Sequence, residues 1–522
     1  MLHSPQTLQM RHGFNLLNHW NPCDHCNHRY GSPTDRTQPM TAYWIRKRFR
    51  IPFRSPAQKA LWLGCSPVQF QSFISNLSEK NRKEWHFPLL TCFYTSYRWQ
   101  KDVFPNFTVF KKKRISHNWG MKVLSLGGSG EDSRNCFWVQ YGNENEKNAF
   151  LLDCGVRREI APIDRVYPML TQEIARSLNA VFLSHAHEDH VAALPYLYEL
   201  GFRGKVYCTQ ETAFLATSFM KKWVHYVISH GQQLPFDEGN IDKIKFSYLT
   251  LGKNSLNGIE IETGRNGHVM GGVWLKFQLE DETLLYTGDT TADGLLLERD
   301  EFPRCTYLIC DSAYAKTTIK QSEQYEKLYA LEQEAKANHG KVLYPVPANG
   351  RGIDIALYLV SRGCKVSTDI TIISNARKLY ENKKWIKDSP LWKRIDELQD
   401  HGIDYNGSVI VPDGMLTSEK SIAAFDLIKG NPSCKTVITG HFAQGTMACS
   451  IFDETWRGNN KVSLESCHVT IKVHPDKTDV VGICKKTKPK RVMLFHSNYN
   501  ETLSLIEELQ DMGYDVTCGV LT

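Results

Sequence analysis

The chain has 522 residues, 41 % hydrophobic and 23 % charged, with a formal net charge of +7. That balance supplies several sizeable cores and excludes a disordered, collagen-like or coiled-coil protein. No run approaches the roughly 18 uncharged apolar residues of a membrane span, and no basic segment leads into an apolar export signal. The 15 cysteines are therefore expected as mostly reduced thiols in a cytoplasmic protein without membrane contact.

Residues 1–40 are polar, His-rich and poor in aliphatics, and are expected to form a flexible leader. Cys23 and Cys26 make a C-x2-C pair there. A closed zinc site would need two further ligands from His12, His19 or His28, and no second spaced pair follows. Residues 1–120 hold eighteen Lys and Arg against five Asp and Glu, so the chain joins a basic segment to a mildly acidic body. Within 41–120 the runs Arg46-Lys47-Arg48-Phe49-Arg50 and Lys111-Lys112-Lys113-Arg114 are interleaved with rings such as Tyr43, Trp44, Phe53, Tyr97 and Trp99. Cations that neutralise phosphates among rings that stack on bases suit a nucleic acid, and equally a small basic domain with an aromatic core.

Folded structure is expected to open at Met121 and to alternate strands with helices. Strands are expected at 150–152, 180–183, 284–286, 307–310, 341–344, 370–373, 408–411, 436–439, 469–473 and 491–495. Helices are expected at 192–200, 322–338, 353–361, 418–428 and 501–512. This is an α/β pattern, in which ligands gather at the carboxyl ends of strands.

At the end of the second strand stands Ser184-His185-Ala186-His187-Glu188-Asp189-His190. Alternation in extended chain sends His185 and His187 to one side. The turn into a helix presents Asp189 and His190 to a second point close by. Imidazoles with a carboxylate are zinc ligands. Two further candidates follow strands or glycines, His268 in Gly267-His268-Val269 and Asp289 in Gly288-Asp289-Thr290.

In this order the residues resemble the metallo-β-lactamase superfamily, with its H-x-H-x-D-H signature followed by a distant His and then an Asp. The resemblance implies an αββα sandwich and two zinc ions. One would take His185, His187 and His268, the other Asp189 and His190, with Asp289 bridging and Asp153 supporting from behind. The chain runs on well past Asp289 through segments similar to those of the β-CASP nucleases: Asp311-Ser312-Ala313-Tyr314, Pro345 to Arg351, Gly414-Met415-Leu416, Gly440 to Thr446, His474-Pro475-Asp476 and His496-Ser497-Asn498. Pro475 and Ser497-Asn498 depart from the usual pattern. The resemblance implies a metallo-β-lactamase domain over 121–312 and 469–522, with a β-CASP domain inserted over 313–468. It further implies that His496 completes the second zinc shell, that His474 contacts the scissile phosphate, that Asp311 orients His474, and that Asp189 takes the water proton. A histidine at 496 accompanies RNA-processing members, so the expected function is zinc-dependent hydrolysis of single-stranded RNA, with DNA cleavage or a non-catalytic nucleic-acid-binding subunit as alternatives. The substrate is expected in a groove between the two domains, where Arg351, Lys378, Lys383 and Lys384 lie.

Overall fold

The computed structural model describes residues 121–522 except 143–146, 160, 257, 518 and 522. The expected leader (1–40), the Cys23–Cys26 pair and the basic extension (41–120) lie outside the described residues.

Two seven-stranded sheets form the centre. In spatial order the first runs Val520–Leu521, Lys122–Gly127, Cys136–Gly142, Lys147–Leu152, Ala180–Phe182, Lys205–Cys208, Phe246–Tyr248. The second runs Asp515–Thr517, Arg491–Phe495, Tyr307–Asp311, Glu282–Tyr286, Val273–Leu279, Ile259–Arg265, Gly252–Leu256. Period-two alternation divides each strand between two cores. Phe150, Leu152 and Phe182 point between the sheets and meet Phe277, Tyr286 and Phe495 of the other, with Phe150 stacked on Phe277 at 4.8 Å between ring centres. Leu151, Val181 and Val206 point outward and pack on Ala213, Met220 and Trp223 of the helix Gln210–Ser229. Helices Lys477–Thr487 and Tyr499–Asp511 cover the second sheet through Val480, Cys484, Leu505 and Leu509. The result is the expected αββα sandwich.

A third sheet of five strands, in order Val366–Thr368, Ser408–Pro412, Val342–Val346, Lys435–Ile438, Glu465–His468, is parallel throughout. Its residues fall between Tyr307–Asp311 and Arg491–Phe495, which nevertheless pair directly, Tyr307 opposite Arg491 and Asp311 opposite Phe495. Among the described residues no helix is long and apolar enough to cross a membrane.

Three expected elements differ. Residues 370–373 open the helix Ile370–Glu381 instead of forming a strand: Asp369 caps it by accepting from the Thr371 N–H at 2.7 Å, and Ile372, Ile373, Ala376 and Leu379 bury at helical spacing. Residues 469–473 are extended but unpaired as a strand; the edge strand is the more polar Glu465–His468 just before them. The expected helix 192–200 breaks into Glu188–Val191 and Leu194–Glu199.

Candidate active site

Most site segments leave the carboxyl end of a strand; His474 instead sits on the segment between Glu465–His468 and the helix Lys477–Thr487. Asp153 follows Lys147–Leu152, Ser184 to His190 follow Ala180–Phe182, Asp289 follows Glu282–Tyr286, Asp311 ends Tyr307–Asp311, and His496 follows Arg491–Phe495. The sandwich thus gathers residues that are hundreds of positions apart.

The donors form three overlapping groups, each with its ligand atoms within 4.8 Å of one another: His185, His187, His268 and Asp289; Asp189, His190, Asp289 and His496; and Asp311, His474 and His496. Asp289 belongs to the first two. Its Oδ1 lies 3.2 Å from His190 Nε2, and its Oδ2 lies 3.6 Å from His185 Nε2 and 3.7 Å from both His268 Nε2 and His496 Nε2. His496 Nε2 is 3.1 Å from Asp189 Oδ2.

Hydrogen bonds at the rear fix which ring nitrogens face inward. His190 Nδ1 donates to Asp153 Oδ2 at 2.7 Å, and His268 Nδ1 donates to the Val473 carbonyl at 2.9 Å. Each ring is left with the Nε2 lone pair toward the cluster. Asp153 is fully buried and also accepts from the Ser184 N–H and Oγ, both at 2.7 Å, and from the Tyr286 hydroxyl at 2.5 Å. His474 Nδ1 donates to Asp311 Oδ2 at 2.9 Å. That carboxylate also takes the Thr290 N–H on Oδ2 at 3.0 Å and the Ala313 N–H on Oδ1 at 3.1 Å.

Charge in the cluster is unbalanced without a cation. Burial, joined by neighbouring imidazoles, pushes His185 and His268 well below the usual imidazole range, and His187 is lowered to about 4, chiefly by burial. His190 and His496 shift the opposite way: burial opposes their charge, but the Asp289 and Asp189 carboxylates overcome it, so that His190 rises well above its ordinary value and His496 rises to about 10. The Asp189 and Asp289 carboxylates thus favour positive charge at this point of the cluster, a place a bound cation could take while His190 and His496 stay neutral. His185 Nε2, Asp289 Oδ1 and His496 Nδ1 are buried without a hydrogen-bond partner, which is costly unless something binds them. Inward lone pairs, a shared carboxylate and orphaned donors fit metal ions.

All ten expected residues, Asp153, His185, His187, Asp189, His190, His268, Asp289, Asp311, His474 and His496, lie in this one place. Sequence reasoning missed Asn135, fully buried, whose Nδ2 lies 3.2 Å from Asp189 Oδ2 and 2.9 Å from His190 Nε2. A lone Asn in a turn carries no pattern that would mark it. The groove cations are dispersed: Lys384 pairs with Glu211, while Lys383 lies over the Tyr380 ring.

A metallo-beta-lactamase superfamily profile matches residues 129–335. Transcription termination factor FttA of Methanothermobacter thermautotrophicus is 24 % identical over 455 residues, covering 77 % of this chain and 70 % of that protein. Integrator complex subunit 11 of Danio rerio is 24 % identical over 443 residues, covering 76 % and 72 %. Cleavage and polyadenylation specificity factor 73 of Drosophila melanogaster is 22 % identical over 427 residues, covering 75 % and 62 %. The chain thus contains a metallo-β-lactamase domain and is a homologue, over about three quarters of its length, of β-CASP RNA-processing nucleases.

Proposed function

We propose that the chain is a ribonuclease that hydrolyses single-stranded RNA with two zinc ions, working in the cytoplasm. One observation carries the reading: Asp289 is shared by two groups of inward-facing donors, and His474 stands beside them on a carboxylate of its own. Relatives named for transcription termination and for cleavage and polyadenylation support RNA over DNA. The ten cysteines of the described residues are all free thiols, which suits a reducing compartment.

In this reading His185, His187 and His268 would hold one ion and Asp189, His190 and His496 the other, with Asp289 available to both groups. Zinc bound there supplies a water-derived nucleophile near neutral pH and polarises the phosphoryl oxygen. Asp153 keeps the proton of His190 on Nδ1, and the Val473 carbonyl does the same for His268. Asp189, whose carboxylate lies beside His496 and His190, would accept the proton given up by the water. Asp311 holds Nδ1 of His474 as the N–H and turns Nε2 outward, so that His474, as the imidazolium whose charge Asp311 balances, would give the Nε2 proton to the leaving oxygen and return to the neutral Nδ1–H form. The division proposed is a metallo-β-lactamase lobe of 121–312 and 469–522 and a β-CASP lobe of 313–468, supported by the direct pairing of the strands on either side of the insertion.

Purified protein incubated with labelled single-stranded RNA and DNA, with His268→Ala as control, tests this. RNA cleavage with about two zincs per chain is the expected result. DNA cleavage alone, or metal-free protein, overturns it.

A further inference from the structure

Arg351 is a partly enclosed cation without a counter-charge. It opens the helix Arg351–Ser361 and is half-buried, with Nε shut away from any hydrogen-bond partner. Among the described residues no Asp or Glu comes within ion-pair distance of it. Its neighbours are neutral. Nη1 donates to the Ile471 carbonyl at 3.3 Å, and the guanidinium stands against the Tyr314 hydroxyl. It also lies across the backbone of Gly440, where any side chain would collide with it.

Lys472, in the same region, makes the contrast. It is as enclosed as any cation here, yet it meets Asp293 at 3.3 Å, Asp476 at 3.1 Å and Asp479 at 2.7 Å. An enclosed charge is normally compensated in this way, because desolvation without a partner is expensive. Burial without compensation holds Arg351 below the ordinary guanidinium pKa.

Its position indicates what would compensate it. The Tyr314 ring stands edge-on to His474, 5.8 Å between centres, and the Tyr314 N–H donates to the Pro475 carbonyl at 3.3 Å. On the other side, a methyl on Gly350 would lie 3.7 Å from the His268 carbonyl. The guanidinium is therefore one ring beyond the proposed proton donor, on the side of the five-stranded sheet. A planar fork of N–H donors matches the oxygens of a phosphate.

We propose that Arg351 binds a second phosphate of the substrate strand, next to the one that is cleaved. This rests on the nuclease reading above. The phosphate is either an internal phosphodiester or a terminal monophosphate.

The test uses the full chain carrying His474→Ala, so that bound RNA is not consumed, and measures RNA affinity by fluorescence anisotropy across a salt series. Adding Arg351→Gln should weaken binding about tenfold. It should also flatten the slope of log affinity against log salt by about 0.7, the value for one contact on a single strand. Arg351→Lys should retain the slope. An equal effect on 5′-phosphorylated and 5′-hydroxyl RNA identifies an internal phosphodiester; an effect confined to the former identifies the terminal phosphate. Should Arg351→Gln lack a cooperative melt, Gly440→Ala displaces the same guanidinium and should weaken binding similarly. RNA binding unchanged in affinity and slope overturns the inference alone. RNA bound by neither parent nor variant overturns the nuclease reading with it.

Discussion

His474 Nδ1 and Asp311 Oδ2 lie 2.9 Å apart although 163 positions separate them in the chain. Asp311 ends a strand of the sandwich, whereas His474 sits on the segment returning from the five-stranded sheet. Asp311→Asn should therefore misorient the ring and lower cleavage at least tenfold, and His474→Ala should lower it on the order of 10²-fold or more. Both variants should retain their metal, as measured by elemental analysis. Zinc loss in His474→Ala would remove it from the role proposed.

Gly155 tests how the Asp189–His190 segment is held. A methyl there would run into the Asp189 carbonyl, while the Cys154 N–H donates to the His190 carbonyl at 2.7 Å and leaves no room to withdraw. Gly155→Ala should cost about 3 kcal/mol in thermal unfolding and reduce bound metal. Gly430→Ala, with nothing within 4 Å of the added methyl, should be near neutral.

Chelation should abolish cleavage and lower the melting temperature, since ions that bind only the folded donors stabilise the fold by mass action. Zinc added back should restore both. Asp153→Ala removes the acceptor behind His190 and should weaken metal affinity roughly 10- to 100-fold, read by competition with a chromophoric chelator.

Glu332 gives a pH dependence away from the site. Burial is the main cause that lifts its carboxyl to about 7, against the hydrogen bonds from Ser408 and Tyr344. A raised acid favours the folded state while protonated, so this contribution is complete below the ordinary carboxylate range and is lost as pH rises through about 7. Glu332→Gln stays neutral throughout. Its melting temperature relative to the parent should rise between pH 5 and pH 8; a constant difference would refute the argument.

Much of this fold was legible because its central strands are buried on both faces and read as continuous apolar runs, as in Leu308-Ile309-Cys310 and Val492-Met493-Leu494. Where that signal failed, local chemistry decided. The β-branched run at 370–373 forms a helix because Asp369 caps it, and Glu465–His468 escaped notice because an edge strand needs little apolar surface. The helix Gln210–Ser229 was missed as well, although Thr212, Ala216, Met220, Trp223 and Val227 bury at spacings of three and four. At the site, residues in runs or after strands could be found. Asn135 could not, because its placement depends on a backbone contact with Asp189 across the fold, 2.8 Å from Asn135 N to the Asp189 carbonyl.

The insertion departs and returns through neighbouring strand ends, with Asp311 level with Phe495. Apart from His474, the clustered donors belong to the sandwich, while His474 rides on the returning ribbon. That ribbon is fastened on the sandwich side, the Val473 carbonyl accepting from His268 Nδ1 and Thr291 Oγ1 and His474 Nδ1 donating to Asp311. A shift of the five-stranded sheet would meet this rivet before it reached His474.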